Sequence, residues 1–537
     1  MRLLRINQNG FALPAVLSFI IAMGILSGAV LEVILNNFTI VERNNQSQQA
    51  FNIAEAGINY YLWHLSHNGS DFKDGQSTPT TPDPTLGYGP YVHSYIDSNA
   101  VNEGTYTLWV KPQGSGSTVA TVRSIGKASG SNITRTISAQ IGAQSFANYA
   151  VLSDGALWFG PDESADGPVF SNQGVEMDGS SNSTVGSPNA TYIPPDGLHS
   201  SNYANGASHP GVWCDTAITS PVNCNTRDKS NWLFPPSQPQ TQVDFNLVSN
   251  ALCNIKKAAF AADSTTASLA NLSNACSQTP GTRTPAYLPQ RSSSFNNSRG
   301  YLIELNPDGK TYNLWNVNNV KDAKITKYTD ALTMQAVATN VVIPSNGVIF
   351  AEDNVWVRSN PTFDGRVTIA NGRLATNYTT DITVADNLAY NTKNGSDAIG
   401  LVAEGNVFIG SFAPPATSSF TLEVDAAVLA ENGSVEYPSN YTFSDTTCTR
   451  GWTSSNQKLN FYGSVATRNT WTWSWVLKTS CGDSVYDPTL PSPYQYLSGF
   501  KYNTTHYDYN LLYAPPPSYP VTSGYSMLSW REVLTKP

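Results

Sequence analysis

The chain has 537 residues, of which 13% are charged and 11% aromatic, with 39 Gly, 33 Pro, 27 Tyr and 12 Trp. A formal net charge of −9, with no basic run beyond the extreme N-terminus, excludes a nucleic-acid-binding surface, which needs clustered Lys and Arg. The length leaves room for more than one domain, and the wealth of turn residues and strand formers predicts a mainly β chain.

The first ten residues, MRLLRINQNG, carry Arg2 and Arg5 and end on Gly10. From Phe11 to Leu31 no residue is charged, about the 20 residues that span a hydrocarbon core. The polar segment lies before the apolar run and no small-x-small cleavage site follows it, unlike a secretory signal. This is the arrangement of a prepilin leader, cut between Gly10 and Phe11 by a prepilin peptidase. The basic residues ahead of the run predict one pass through the inner membrane with the remainder outside. An uncleaved signal anchor is the alternative.

Few helix breakers occur from Asn36 to Leu65, and Phe51, Ala54, Ile58, Tyr61, Leu62 and Leu65 recur at helical spacing. A single helix over 11–66 is expected, apolar first and amphipathic second. The segment 48–65, QQAFNIAEAGINYYLWHL, resembles the N-terminal PilX family of minor type IV pilins, whose members carry a similar A-F-x-x-A-E-A-G stretch. The stalk motif then comprises Ala54, Glu55, Ala56 and Gly57. On the residues alone, Glu55 reads as a solvated charge and Gly57 as a point of close helix packing. Major pilins place a glutamate at the fifth mature residue, where it neutralises a neighbour's terminal amine. Here that position is Ala15, preceded by Pro14. The resemblance therefore implies a minor subunit or pseudopilin at or near a filament tip. It also implies other pilin subunits as partners through this helix, and passage from the inner membrane to an extracellular pilus or cell surface.

Residues 67–90 read as a linker, and 91–145 as a small antiparallel meander that would pack on the C-terminal half of the stalk helix. Further on, GVIFAEDNVWV (347–357), GLVAEGNVFI (400–409), AVLAENGSVEY (427–437) and GSVATRNTWTW (463–473) align loosely, with Ala351, Ala370, Ala403, Ala430 and Ala466 equivalent. A right-handed parallel β-helix (a solenoid head) accounts for the repeat, with rungs in 146–195 and 341–485; a β-sandwich is the competing fold. Residues 196–340 interrupt the pattern and read as a disulfide-containing insertion on its side, with a helix-like segment over 243–262 and a hairpin turning on Pro307-Asp308-Gly309. Residues 486–537 resemble the Pro-rich ending of bacterial surface proteins that join a PilX-like start to a β-helix. That likeness implies a strand across the last rungs and packing roles for Tyr507, Tyr513 and Trp530.

The six cysteines allow fifteen pairings, and pairing sequence neighbours predicts Cys214–Cys224, Cys253–Cys276 and Cys448–Cys481, with reduced thiols as the alternative. No CxxC or His cluster occurs, so neither a metal nor another cofactor is expected. Glu352, Asp353, Asp364, Glu404, Asp425 and Glu431 are the carboxylates available to a hydrolase, yet most sit in Ala-Glu-x-Asn corners and read as solvated turn residues, so no catalysis is expected. Trp471, Trp473 and Trp475 alternate along one strand face that could stack on a glycan or host-cell surface, or could equally close an end rung. The chain thus reads as a minor pilin-like subunit acting in pilus assembly and adhesion. The alternatives are a membrane-anchored carbohydrate-active enzyme and a structural envelope protein.

Overall fold

The computed structural model describes residues 12–533, apart from 69–70, 79–80, 113–118, 196–205, 292–298, 321–331, 377, 411–412, 414–420, 439–457, 481–484, 487 and 489–494. The fold is mainly β with one long N-terminal helix. The chain divides into two compact units, the first comprising 1–111, 120–141 and 527–537, the second 112–119 and 142–526.

In the first unit, helix α1 spans Ala12–His67, roughly 84 Å at about 1.5 Å per residue. Its C-terminal third buries Ala50, Ile53, Ala54, Gly57, Ile58, Tyr61 and Leu65, one stripe at helical spacing. A five-stranded sheet is built in the order Tyr88–Ile96, Asn102–Pro112, Val119–Ala128, Thr134–Ser145, Val521–Glu532, the first two strands antiparallel. Burial alternates along Asn102–Pro112 and Val119–Ala128, as expected of strands with one covered face. Two glycines set the helix–sheet distance. A Cβ on Gly57 would lie 2.3 Å from Ser124 Oγ and 2.9 Å from the Tyr106 ring, and one on Gly126 would lie 2.1 Å from the Ala50 carbonyl oxygen. Close packing at Gly57 is thus against a strand. Glu55, on the opposite side, is exposed.

The second unit is organised by two long sheets. The larger has the spatial order Trp232–Leu233, Val185–Gly186, Val169–Ser171, Val151–Ser153, Lys458–Thr467, Thr421–Ala430, Ala398–Ala403, Arg366–Asn371, Val348–Ala351, Tyr287–Leu288. Every one of these neighbours pairs in parallel. The other sheet pairs Gly300–Leu305, Asn354–Ser359, Ile382–Val384, Val407–Ile409, Val435–Glu436 and Trp471–Thr472 in parallel. From Val348 to Thr472 successive strands alternate between the two sheets. The hairpin Gly300–Leu305/Thr311–Val320 turns on Gly309, at φ +65°, and its first strand belongs to the second sheet rather than to a side insertion.

The stacking order departs from chain order. Val151–Ser153 lies beside the second half of Lys458–Thr467, while Tyr502–Tyr507 lies beside its first half. The early strands therefore extend the stack that the late strands build. The chain must then return to the far edge at Tyr287–Leu288, and helix α2, Leu247–Ala261, makes most of that journey. Its 15 residues reach roughly 22 Å. Four inter-strand steps of about 4.8 Å, from Lys458–Thr467 to Val348–Ala351, need about 19 Å.

Both faces of the larger sheet are buried. One core cluster takes Ile349, Ala351, Ile369, Leu401, Ala403, Val428 and Ala430. The other packs Phe350, Ala370, Val402, Leu429 and Ala466 against Val248, Leu252, Ile255 and Phe260 of α2. The near-continuous apolar runs of these strands follow from that two-sided burial. The register also corrects the alanine alignment. Ala351, Ala403 and Ala430 pair with Asn371 and Thr467, whereas Ala370 and Ala466 pair with Phe350, Val402 and Leu429. A one-residue slip moves a side chain to the opposite face, which is why small residues alone misaligned them.

Replacing Gly57 with Val is expected to cost about 1–3 kcal/mol through overlap with Ser124 and Tyr106. Glu55→Gln is expected to stay within about 0.5 kcal/mol. Amide hydrogen exchange across residues 50–65 of the full chain in micelles reads both.

Candidate functional site

Gly10 and Phe11 lie outside the described residues. The helix that follows is bare: all large apolar side chains from Leu13 to Val41 are exposed, from 43% at Ile34 to 83% at Leu13. Burying one such side chain contributes roughly 1.5–3 kcal/mol, so this surface requires a lipid or protein partner. The segment is long and apolar enough to cross a membrane. Pro14 and Ala15 stand exposed on its first turn, and no carboxylate appears before Glu32. Ala54 is buried and Ala56 half-buried, both on the stalk beyond this bare part.

The rung-corner carboxylates are not solvated turns, with the exception of exposed Asp364. Glu352, Asp353, Glu404, Asp425 and Glu431 are each at most 8% exposed. Helix α2 covers several of them in reverse stacking order. Arg468 donates to Asn246 at 3.0 Å, Glu431 accepts from Ser249, and Glu352 meets Lys256. Ala258, two residues on, accepts from Asn346 at 2.9 Å. Asp353 lies 3.7 Å from the Arg373 guanidinium, and Asp425 lies 2.8 Å from Lys393 Nζ. Each buried acid thus has a cation or a donor, as burial in low dielectric demands. Near the N-terminal end of α2 a polar cleft of about 330 Å³ opens, walled by Asp154, Asp244, Phe245, Asn246 and Arg468.

The three tryptophans do not form one strand face. The strand Trp471–Thr472 ends before Trp473, and Ser474–Leu477 pairs in a different sheet. Trp473 is 3% exposed and donates its indole N–H to Thr505 Oγ1 at 3.0 Å. Trp471 packs on Phe159, ring centres 5.0 Å apart, and Trp475 donates to the Tyr437 carbonyl at 2.8 Å. Only Trp471 and Trp475, both half-buried, retain any open surface.

Cys214–Cys224 and Cys253–Cys276 are bonded, with Cα separations of 5.9 and 5.2 Å. Cys448 and Cys481 lie outside the described residues. The ending lays its strand Tyr502–Tyr507 on the last rung, while its proline run reaches earlier ones: Arg366 donates to the carbonyls of Ala514 and Pro515 at 2.7 Å, and Thr368 donates to that of Pro517. Tyr507 is buried, its hydroxyl donating to the Ala147 carbonyl at 2.8 Å. Tyr513 and Trp530 are 49% and 56% exposed, and Trp530 meets Phe51 of the stalk edge-on, ring centres 6.3 Å apart.

No family model matches the chain, so the PilX likeness rests on the residues quoted above. No curated protein is similar to it. Among solved structures it is similar to the competence-associated pilin ComZ from Thermus thermophilus. The identity is 13%, covering 91% of this chain and 98% of that one, at a TM-score of 0.26. A superposition at that level carries no argument.

Desolvation shapes the corner electrostatics. Burial, aided by the charge of Glu431, pushes the Glu404 carboxyl up to about 7, although the Arg373 backbone N–H donates to it at 2.7 Å. Burial likewise raises Glu352 and Asp353 and lowers Lys256. A raised carboxyl leaves the folded state holding a proton that the unfolded chain has already released. Its contribution is fully present below the unfolded pKa, about 4.3, and is lost as pH rises through the folded value. Glu404→Gln removes that ionisation while keeping an acceptor for Arg373. The variant is therefore expected to flatten the fall in melting temperature between pH 5 and pH 8, read by near-UV circular dichroism. An unchanged slope would assign the pH dependence to other groups.

Proposed function

We propose that the chain is a PilX-like minor type IV pilin or pseudopilin subunit, at or near a filament tip, acting in pilus assembly and in surface or cell adhesion. The observation that carries this reading is the division of α1 into a bare apolar length and a stalk. The stalk buries its stripe on a sheet, while the length before it is covered by none of the described residues. Such a helix serves first as a membrane anchor and then as the packing surface for neighbouring subunits. Ala15 in place of an acid, together with a large head, favours a rare subunit over a bulk one. The head is read as a right-handed parallel β-helix, supported by the alternation of strands between two parallel sheets. Its carboxylates are committed to buried partners, which favours binding over turnover. Exposed Tyr486, Tyr502, Tyr509 and Tyr513 offer aromatic surface for adhesion to a glycan or host cell.

Expression beside a prepilin peptidase is expected to yield a mature chain beginning at Phe11, established by N-terminal mass spectrometry. A chain that keeps MRLLRINQNG under these conditions removes the pilin reading. Deleting the gene is expected to reduce surface filaments, and immunogold is expected to label filament ends. Even labelling along the shaft would count against the tip position.

A further inference from the structure

Lys256 of α2 and Glu352, in the turn after Val348–Ala351, bury their side chains completely, at 0% and 1% exposure. Lys256 Nζ touches Glu352 Oε1 in a buried ion-pair contact. The amine also donates to the Cys276 carbonyl at 2.9 Å. Phe260 and Phe350 flank it, their ring centres 5.7 and 5.8 Å away. The Tyr287 hydroxyl acts on the same carboxyl. The surroundings are otherwise the apolar cluster of Ile255, Ala259, Phe260, Tyr287 and Phe350.

Placing two ions here costs several kcal/mol each in desolvation. Burial accordingly lowers the affinity of Lys256 for its proton and raises that of Glu352. Both shifts favour a neutral amine beside a neutral acid, the reactive forms for acyl transfer. Two further groups suit such a reaction. Arg373 donates from Nε to the Glu352 carbonyl at 3.2 Å, and its positive charge acts on the Glu352 carboxyl, where an oxyanion would develop. Glu404, pushed up to about 7, acts electrostatically on Lys256 and can take up and return a proton near neutrality.

We propose that Lys256 and Glu352 are joined by an intramolecular isopeptide bond formed once the head has folded. The Nζ lone pair adds to Cδ of the protonated Glu352 carboxyl. The bond from Cδ to the hydroxyl oxygen then breaks, and that hydroxyl departs with a proton given up by the amine, as water. Lys256 and Glu352 together lose one water, and the step needs no oxidant, nucleotide or metal. Holding amine and carboxyl in contact is equivalent to an effective concentration of roughly 10⁵–10⁸ M, which offsets the competition from solvent. The product puts a neutral amide in place of a buried amine and carboxyl and ties α2 to the stack it covers, beside the Cys253–Cys276 disulfide of the same helix. The inference stands whether or not the chain is a filament subunit.

Intact mass spectrometry of the full chain, purified in detergent under non-reducing conditions, tests it. The expected mass lies one water below that of the disulfide-bonded sequence. A tryptic map of the unfolded protein is expected to show no cleavage after Lys256 and a branched peptide joining it to Glu352. Lys256→Met, which keeps the chain length but removes the amine, is expected to abolish both signatures and lower the melting temperature. A wild-type mass with no water missing, or ordinary cleavage after Lys256, leaves an ion pair only and overturns the proposal. A water deficit that persists in Lys256→Met overturns the location. If that variant does not fold, the wild-type map decides alone.

Discussion

The head depends on covering both faces of its larger parallel sheet. Parallel ladders satisfy the backbone along the stack, but each strand then presents apolar side chains alternately to two sides. One side is closed by the second sheet, through Ile349, Leu401 and Val428. The other holds Phe350, Val402 and Leu429, which would meet water without α2. The helix length matches the strands it must cover, and its Leu252, Ile255, Ala259 and Phe260 supply the facing stripe. Covering the sheet has a second consequence. The strand ends carry acids, and the helix that buries the apolar face also buries those corners. Lys256 and Ser249 are therefore partners that the covering itself requires.

The same constraint explains the order of the stack. A sheet built only from Val348 to Thr467 would leave an open parallel edge at Lys458–Thr467. Val151–Ser153 occupies half of that edge and Tyr502–Tyr507 the other half. The chain leaves this junction through Val169–Ser171 and Val185–Gly186 and must come back past the whole assembly. The return passage is where α2 and the Cys253–Cys276 pair lie.

How much of this was legible in the sequence follows from the range of each interaction. Helix α1, the segment that became α2 and the hairpin at Gly309 are local patterns, and each was readable from spacing and turn residues. The bonded pairs Cys214–Cys224 and Cys253–Cys276 are sequence neighbours, so short loops sufficed to suggest them. The acids at Glu352, Glu404 and Glu431 looked solvated because their Ala-Glu corners resemble turns. Their burial is decided by a helix far away in the chain. The alanine alignment slipped at Ala370 and Ala466 because side-chain size does not report which face a strand residue occupies. Trp473 read as one of three on a strand, but the strand ends just before that residue and the indole turns inward to Thr505.

The first unit applies the opposite rule within one helix. From Ala50 to Leu65 the stripe is matched to a sheet so closely that Gly57 and Gly126 leave no room for a Cβ. From Leu13 to Val41 the apolar residues surround the helix on all sides, and none is buried. A helix that is apolar all round is a buried element whose cover comes from elsewhere. Propensity alone does not sustain it in water, since most helical stability comes from packing. The boundary between the two regimes falls where Glu42 and Arg43 give way to the polar run Asn44 to Gln49. Before that boundary the partner must be lipid or another chain, and beyond it the chain supplies its own.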